Sequence, residues 1–524
     1  MGYSEIPCHL CEVSFNIARS RRVGEPRSAS WSCYGEYDDD DVEWNWPECA
    51  LNGCCLAVRK TPKQDENNDE EYDMNLMNES DDDIPDEKDV ENQGYHQFLW
   101  LVANLFDLLR TAESAPLEAR EKEIIIQIPR DENPFNNIKG DIGGYKIDDL
   151  EHIAGPACTA VNAYSGYNIS VEDMKFCRTV QCLVLKDQSE PKELDALAQD
   201  WEQSGEYFLS GLCDDMPSRD IGPPEVFPAR GGVDQPWADN IIWDGDENCD
   251  VPFHPWCFDI FSRLSKLHFN HVNVSGLMKW RNAESSYEAI AEFPRDPDVT
   301  DGQDQWWCHD PGKEYLAANP LYIPNLPAIL RSAIKNDEDN FSSQNSAFSV
   351  SQPTTKSKES QGTAESHTRT DPLQSLPQEI RLLIIDQLPS CDIANLRLAS
   401  RAFRHLPIYV WYHLVRKEMP WLWEAWGEEE CNNHTPSIWT MNTAADLSRI
   451  MNESPKNINE ITAADILASG TAIPEQIKLP RDKTNWYQLY VEIRRNWSQL
   501  KGLRNRERIY KDVEEIIRRI KKYE

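Results

Sequence analysis

No stretch of this sequence stays apolar for long enough to cross a bilayer. The longest run, residues 98–109, is interrupted by Asn104 and Asp107, and a spanning helix needs about 20 apolar residues. A leader with an apolar centre is also missing: residues 1–18 hold acids and cysteines instead, which argues against a secretory signal. Met1-Gly2 has no Ser or Thr at position six, so the myristoylation pattern fails. Positive charge is scarce. There are 53 Lys and Arg against 90 Asp and Glu, a net charge of −37, and this excludes a general binder of nucleic acid or anionic membrane. No glycine-rich phosphate cradle, Gly-x-Ser-x-Gly elbow or His-Glu-x-x-His pair occurs, and no period of the length used by propellers or solenoids is present. The expectation is a cytosolic or nuclear protein that is not an enzyme and contacts neither nucleic acid nor membrane. In that setting the Asn-x-Ser/Thr triplets at Asn168, Asn273 and Asn340 stay unmodified. The 15 cysteines are thiols or metal ligands, not disulfides.

What is present suffices for more than one core. The chain has 524 residues, 40% of them hydrophobic, with 18 Trp, and that length implies several domains. Residues 1–61 are rich in Cys and Trp and are expected to pack with a later domain. Residues 62–94 read as an acidic spacer, because 63–92 hold fourteen acids and two Lys. Residues 95–333 read as an irregular α+β domain, the default region for recognising a substrate. It has a helix at 98–109, strands at 123–128 and 180–185, and many Gly and Pro breaks. Within it, 210–220 reads as a loop held by Arg219 and neighbouring carboxylates. The Ser-, Gln- and Thr-rich stretch 334–370 reads as a linker. Residues 407–426 read as an aromatic helix. From Trp486 onward, apolar residues at helical spacing run to Ile520. This tail is locally basic, with eleven Lys or Arg against five acids from Arg494 on, and is expected to dock on an acidic body.

Residues 371–406 carry the most information. Leu373, Leu376, Ile380, Ile384 and Leu388 recur at steps of three and four, the spacing of one helix face. Ser375 and Gln378 fit a capping box, with Pro377 in the first turn. Pro389 ends that helix. Asp392 can then cap a second helix through Leu398, and Ser400 a third turn carrying Phe403 and Leu406.

This pattern resembles an F-box: Leu376-Pro377-x-Glu379-Ile380, then Ile384, Leu388-Pro389, Asp392-Ile393, Leu396-Arg-Leu-Ala-Ser-Arg401 and Phe403-Arg404. The F-box assignment is taken as 371–418, with a helical C-terminal region over 419–524. The resemblance implies a non-catalytic substrate receptor of an SCF-type cullin–RING ubiquitin ligase. Its helices would dock on the adaptor subunit, and through it on cullin, while the rest of the chain presents an unidentified protein substrate. Such docking buries apolar anchors at helical spacing in a partner's groove. By position the anchors are Leu376, Pro377, Ile380, Ile384, Leu388, Leu396, Leu398 and Phe403, some of which must instead hold the helices together. A competing reading is an F-box-like interaction protein acting outside any ligase.

A wider set of phrases resembles a group of filamentous-fungal F-box proteins with an N-terminal Cys-x-x-Cys region. These are Cys8-His-Leu-Cys11-Glu-Val-Ser-Phe-Asn-Ile-Ala-Arg, His152-Ile-Ala-Gly-Pro, Gln181-Cys-Leu-Val-Leu-Lys, Phe208-Leu-Ser-Gly-Leu and Pro252-Phe-His-Pro-Trp-Cys-Phe-Asp-Ile-Phe.

Cys8 and Cys11 have zinc-knuckle spacing, which is half of a site. One completion is His254 with Cys257, at the start of a helix marked by Phe258, Phe261, Leu264 and Leu267. That gives a treble-clef-like structural zinc within an α+β, multidomain fold. A second completion draws on Cys33, Cys49, Cys54 or Cys55. A third possibility is no metal. A treble-clef nuclease would use such an ion for chemistry, and the acidic composition opposes it. Cys158, Cys177, Cys182, Cys213 and Cys308 read as plain buried thiols.

Overall fold

The computed structural model describes residues 6–31, 46–58, 123–128, 141–142, 145–146, 150–186, 197–214, 251–284, 292–303, 307–334, 371–426, 437–453 and 477–524. The expected spacer at 62–94, the helix at 98–109 and Arg219 lie outside them, as does the linker at 334–370 beyond its first residue. The contacts divide the chain into two units, one made of Met1–Asp38 with Thr159–Glu524 and the other of Asp39–Cys158. The fold is mixed helix and strand, and it is helical through the last third. Among the described residues no helix is long and apolar enough to cross a membrane.

In chain order the elements used below are β1 (Arg19–Ser20), α1 (Trp46–Leu51), β2 (Cys55–Val58), β3 (Ile125–Gln127), β4 (Asp141–Ile142), β5 (Tyr145–Lys146), β6 (Leu150–Ile153), β7 (Tyr164–Ser165), β8 (Gln181–Leu185), β9 (Tyr207–Leu209), β10 (Val251–Phe253), α2 (Pro255–Phe269), α3 (Val274–Ala283), α4 (Gln378–Asp386), α5 (Ser390–Ala399), α6 (Ile408–Glu418), α7 (Trp486–Arg495) and α8 (Lys501–Tyr523).

The smaller unit contains an antiparallel sheet in the order β3-β2-β6 and the short pair β4-β5. In the larger unit β8 lies between β10 and β9, antiparallel to both, and β1 pairs in parallel with β7. Its core runs from Ile6 and Phe15 through Phe253 and Phe261 to Trp421, Trp486 and Ile516. Helix α8 lies at the centre of that core. Leu503, Ile509, Val513, Ile516 and Ile520 are all sealed, the i, i+3/i+4 stripe that a 3.6-residue repeat dictates.

Three arginines of α8 pair with acids elsewhere in its own unit. Arg506 forks onto Glu424 at 2.9 and 3.0 Å, Arg504 reaches Asp298 at 3.2 Å, and Arg519 pairs with Glu284. Arg506 is fully buried and also stacks over the Trp423 ring at 3.8 Å. Removing either partner of such a pair would leave an uncompensated charge in a low-dielectric interior.

Local chemistry corrects three expectations. Ser375 does not cap α4. Its hydroxyl donates to the Pro372 carbonyl and closes a 3-10 turn, Pro372–Ser375, that Asp371 caps. Pro377 stands at the N-cap of α4. The second helix begins at Ser390, two residues before Asp392, directly after Pro389. The aromatic helix stops at Glu418, because Pro420 disfavours helical backbone at Met419. The aromatic residues that follow form a separate 3-10 turn, Trp423–Trp426. The third F-box turn begins at Ser400 as expected, the hydroxyl accepting from the Ala402 N–H.

Candidate functional site

The three short F-box helices bury few residues between them. Ile385, Ile393, Ala402 and Phe403 point inward. Phe403 is 0% exposed, so it holds the turns together and offers nothing outward. Leu376, Ile384, Leu388 and Leu396 are half-buried, and Pro377 is exposed. The free apolar surface belongs to Ile380 at 42%, Leu383 at 60% and Leu398 at 88% exposure. Leu383 lay outside the stripe read from the sequence. Its signal was its place three residues after Ile380, the neighbouring position on a helix surface.

Behind this surface the bundle is fastened to the C-terminal helices. The Glu418 carboxylate, at the end of α6, accepts from the Ser390 N–H at 3.1 Å and from the Tyr490 hydroxyl at 2.8 Å, and Arg494 lies 3.3 Å away. Trp411 packs on Tyr487 and Tyr490 of α7, with ring centroids 4.8 and 5.6 Å apart. The Arg397 guanidinium of α5 covers both Trp411 and Tyr487. Asp371 holds the entry of the F-box. It accepts from the Leu373 N–H, the Ala402 N–H and the Ser400 hydroxyl. The hydrogen bond from Ser400 leads the set that holds its carboxyl below the usual carboxylate range.

A second centre lies elsewhere in the same unit. Cys8, Cys11, His254 and Cys257 are all buried, with their ligand atoms within 4.8 Å of one another. The sequence places each on a stiff support. Cys8 to Cys11 is a tight turn closed by Cys11 N–H and Glu12 N–H, both donating to the Cys8 carbonyl, and Glu12 takes a left-handed φ of 58°. Strand β10 delivers His254, and Pro255 opens α2 immediately after it. Cys257 therefore lies in the first turn of α2.

Metal ligation fits these residues. Cys11 Sγ and His254 Nδ1 are 3.7 Å apart. Bond lengths of about 2.3 Å to sulfur and about 2.0 Å to nitrogen put tetrahedral ligand atoms roughly 3.5–3.8 Å apart. The other imidazole nitrogen, Nε2, lies 3.1 Å from the Cys177 carbonyl. A proton on Nε2 directed at that oxygen leaves the Nδ1 lone pair for an ion. The His254 N–H points at Cys8 Sγ from 3.4 Å.

The knuckle's outward carbonyls are also satisfied by distant side chains. Arg295 donates to Leu10 O at 2.8 Å, Arg508 to Cys11 O at 2.9 Å, and Gln303 to Glu12 O at 2.7 Å. No spacing rule announces these supports, because they come from residues nearly 300 and 500 positions away.

Residues 373–407 match the family model of the F-box domain. The chain thus carries an F-box, a domain whose bearers generally serve as non-catalytic adaptors. A stretch of 52 residues, 10% of this chain, is 62% identical to the ATP-dependent RNA helicase mss116, mitochondrial, of Aspergillus oryzae (strain ATCC 42149 / RIB 40). The chain spans 8% of that protein's length, and so short a likeness transfers no activity. No solved structure matches the chain.

Proposed function

We propose that this protein is the substrate receptor of an SCF-type cullin–RING ubiquitin ligase. The observation that carries the reading is the outward apolar surface of Ile380, Leu383 and Leu398 within the matched F-box. Large aliphatic side chains exposed on helices that are braced from behind are anchors for a groove in another protein. Each one covered by the adaptor contributes about 1.5–3 kcal/mol by desolvation. Cullin follows through the adaptor, and the protein works in the cytosol or nucleus, where a ligase of this type acts. The body of the larger unit then presents an unidentified protein substrate.

Cys8, Cys11, His254 and Cys257 hold one structural Zn²⁺ in this reading. Four protein ligands close a tetrahedral site and leave no position for a water nucleophile. The ion therefore fastens the N-terminal knuckle to α2 and performs no chemistry, which disfavours a nuclease.

Affinity purification of the intact chain tests the reading. Adaptor and cullin are expected to co-purify, and Ile380→Asp with Leu398→Asp is expected to lose both while the chain keeps its helical circular dichroism. Unchanged recovery of the adaptor by that variant would sink the proposal. Recovery of the adaptor without cullin would favour an interaction protein outside any ligase.

A further inference from the structure

The smaller unit holds a second group of metal-type ligands, sharing none with the first. Cys49, Cys54 and His152 are buried with their ligand atoms within 4.8 Å of one another. A third thiol stands beside this group: Cys158, buried in the turn just after β6, interacts with Cys49 and Cys54. We propose that Cys49, Cys54, His152 and Cys158 form a second structural zinc site, which closes the ends of strands β2 and β6.

The backbone around these residues is built to bring them together. Cys49 lies in α1, and the Cys54 N–H returns to its carbonyl at 3.0 Å. Gly53 makes that return with φ +76°, a conformation open to glycine at little cost. Strand β2 starts immediately afterwards and runs antiparallel to β6, with Leu56 opposite His152 and Cys55 opposite Ile153. Side chains alternate along a strand. Cys54, Leu56 and His152 therefore share one face of the pair, while Cys55, Ala57 and Ile153 share the other. The chain leaves β6 through Gly155 and turns, Cys158 N–H donating to the Gly155 carbonyl at 3.2 Å.

Two turns, one before β2 and one after β6, thus meet at the same end of the sheet. The approach is close. A Cβ on Gly155 would come within 2.3 Å of the Asn52 carbonyl oxygen and 2.5 Å of the Cys54 nitrogen. The Gly155 N–H lies 3.3 Å from Cys54 Sγ and points at it. Backbone N–H groups directed at sulfur stabilise a thiolate, the form that a metal binds.

Three thiols and one imidazole make a soft tetrahedral donor set of the Cys₃His kind, suited to Zn²⁺. A disulfide would use two of the three sulfurs and leave the third thiol and the imidazole unexplained. Binding replaces three thiol protons with one divalent cation and leaves the imidazole neutral, so the site carries one negative charge and nothing is oxidised.

The described strands that the site would fasten are two to four residues long, and a metal that joins the turn before β2 to the turn after β6 ties together residues about a hundred positions apart.

The test is zinc content of the full chain purified after expression with zinc. Cys54→Ser with Cys158→Ser is expected to carry one equivalent fewer than the wild type, and Cys8→Ser with Cys11→Ser to retain that equivalent. Equal zinc in the wild type and the first variant overturns the proposal. Should the serine variant fail to fold, the wild type alone gives the answer. Cys49, Cys54 and Cys158 should resist N-ethylmaleimide in the zinc-loaded chain and react at least about tenfold faster after chelation, because only metal protection is removed by a chelator. Resistance that persists after all zinc has been removed also overturns it. Neither result depends on the first site, because the two share no ligand.

Discussion

Arg508, sixteen residues from the end of the chain, donates from Nη1 to the carbonyl oxygen of Cys11 at 2.9 Å. The same guanidinium binds Asn505 Oδ1 and pairs with Asp512 at 3.2 Å, all within a buried pocket. The N-terminal knuckle is thereby held by the last helix. Arg508→Ala leaves the Cys11 carbonyl without this donor and removes one of the two cations at Asp512. It should destabilise the larger unit by about 3 kcal/mol or more in denaturant unfolding. The same variant should bind zinc about 10–100-fold more weakly at the Cys8 site, as loss of an outer hydrogen bond does at other metal centres. Unfolding and zinc affinity both matching the wild type would show that the contact supports nothing.

The F-box separates surface from core in a way one pair of substitutions can read. Leu398→Asp changes a residue that is 88% exposed. Stability should move by no more than about 0.5 kcal/mol, while adaptor binding measured by calorimetry falls steeply. Phe403→Ala opens a cavity at a fully sealed position and should cost about 3–5 kcal/mol in folding. The reverse ranking in the two assays would mean that the outward face is misassigned.

Asp371 gives a pH signature. Its carboxyl is held below the ordinary range, first by the Ser400 hydroxyl and then by backbone N–H groups. A depressed carboxylate adds stability above its unfolded pKa of about 3.9, and that stability is lost as pH falls through the lower folded value. Asp371→Asn keeps a capping oxygen and removes only the charge, so it should be less stable than the wild type at pH 7 by less than the roughly 0.5–2 kcal/mol that loss of a whole cap costs. The gap should narrow progressively below pH 4. A gap that is constant with pH would assign the effect to shape and not to charge.

His309 contributes a second window. It is buried, Nε2 accepts from the Ala18 N–H at 2.9 Å, and Nδ1 lies 3.2 Å from the Val161 carbonyl. Burial leads in pushing its pKa down to about 4. For a base, a lowered folded value means the neutral form is favoured on folding, so stability is full above about 6.5 and falls as pH drops toward 4. His309→Gln keeps an acceptor but cannot take up a proton. Its stability should decline less between pH 6.5 and 4 than that of the wild type, and parallel curves would rule out His309 as the titrating group.

Much of the local structure was legible from residue types. Strand β8 and helices α2, α7 and α8 follow from alternation or from apolar steps of three and four, because those periods reflect backbone geometry alone. The boundaries read less well. The helix expected to start at Ser375 starts after Pro377, and Ser375 instead belongs to the preceding 3-10 turn, where its hydroxyl donates to the Pro372 carbonyl. A spacing rule does not say to which of two successive turns such a residue belongs.

The two Cys/His groups show the same division. Cys8 and Cys11 announced half of a site by their gap, and His254 with Cys257 by their place before an apolar helix. Cys158 read as a plain buried thiol. Its approach to Cys49 and Cys54 depends on an antiparallel register between β2 and β6, two strands separated by some ninety residues.

The sequence alone determined the F-box, its helix breaks and the apolar residues available for docking, because these are short-range patterns written within forty consecutive positions. Only the tertiary structure decided which of those residues face outward. Phe403 is enclosed and Leu398 exposed although both are large and apolar. Which side of a helix is covered depends on what packs against it, and here that includes α6 and α7, with α7 contributed by a segment nearly a hundred residues further along the chain.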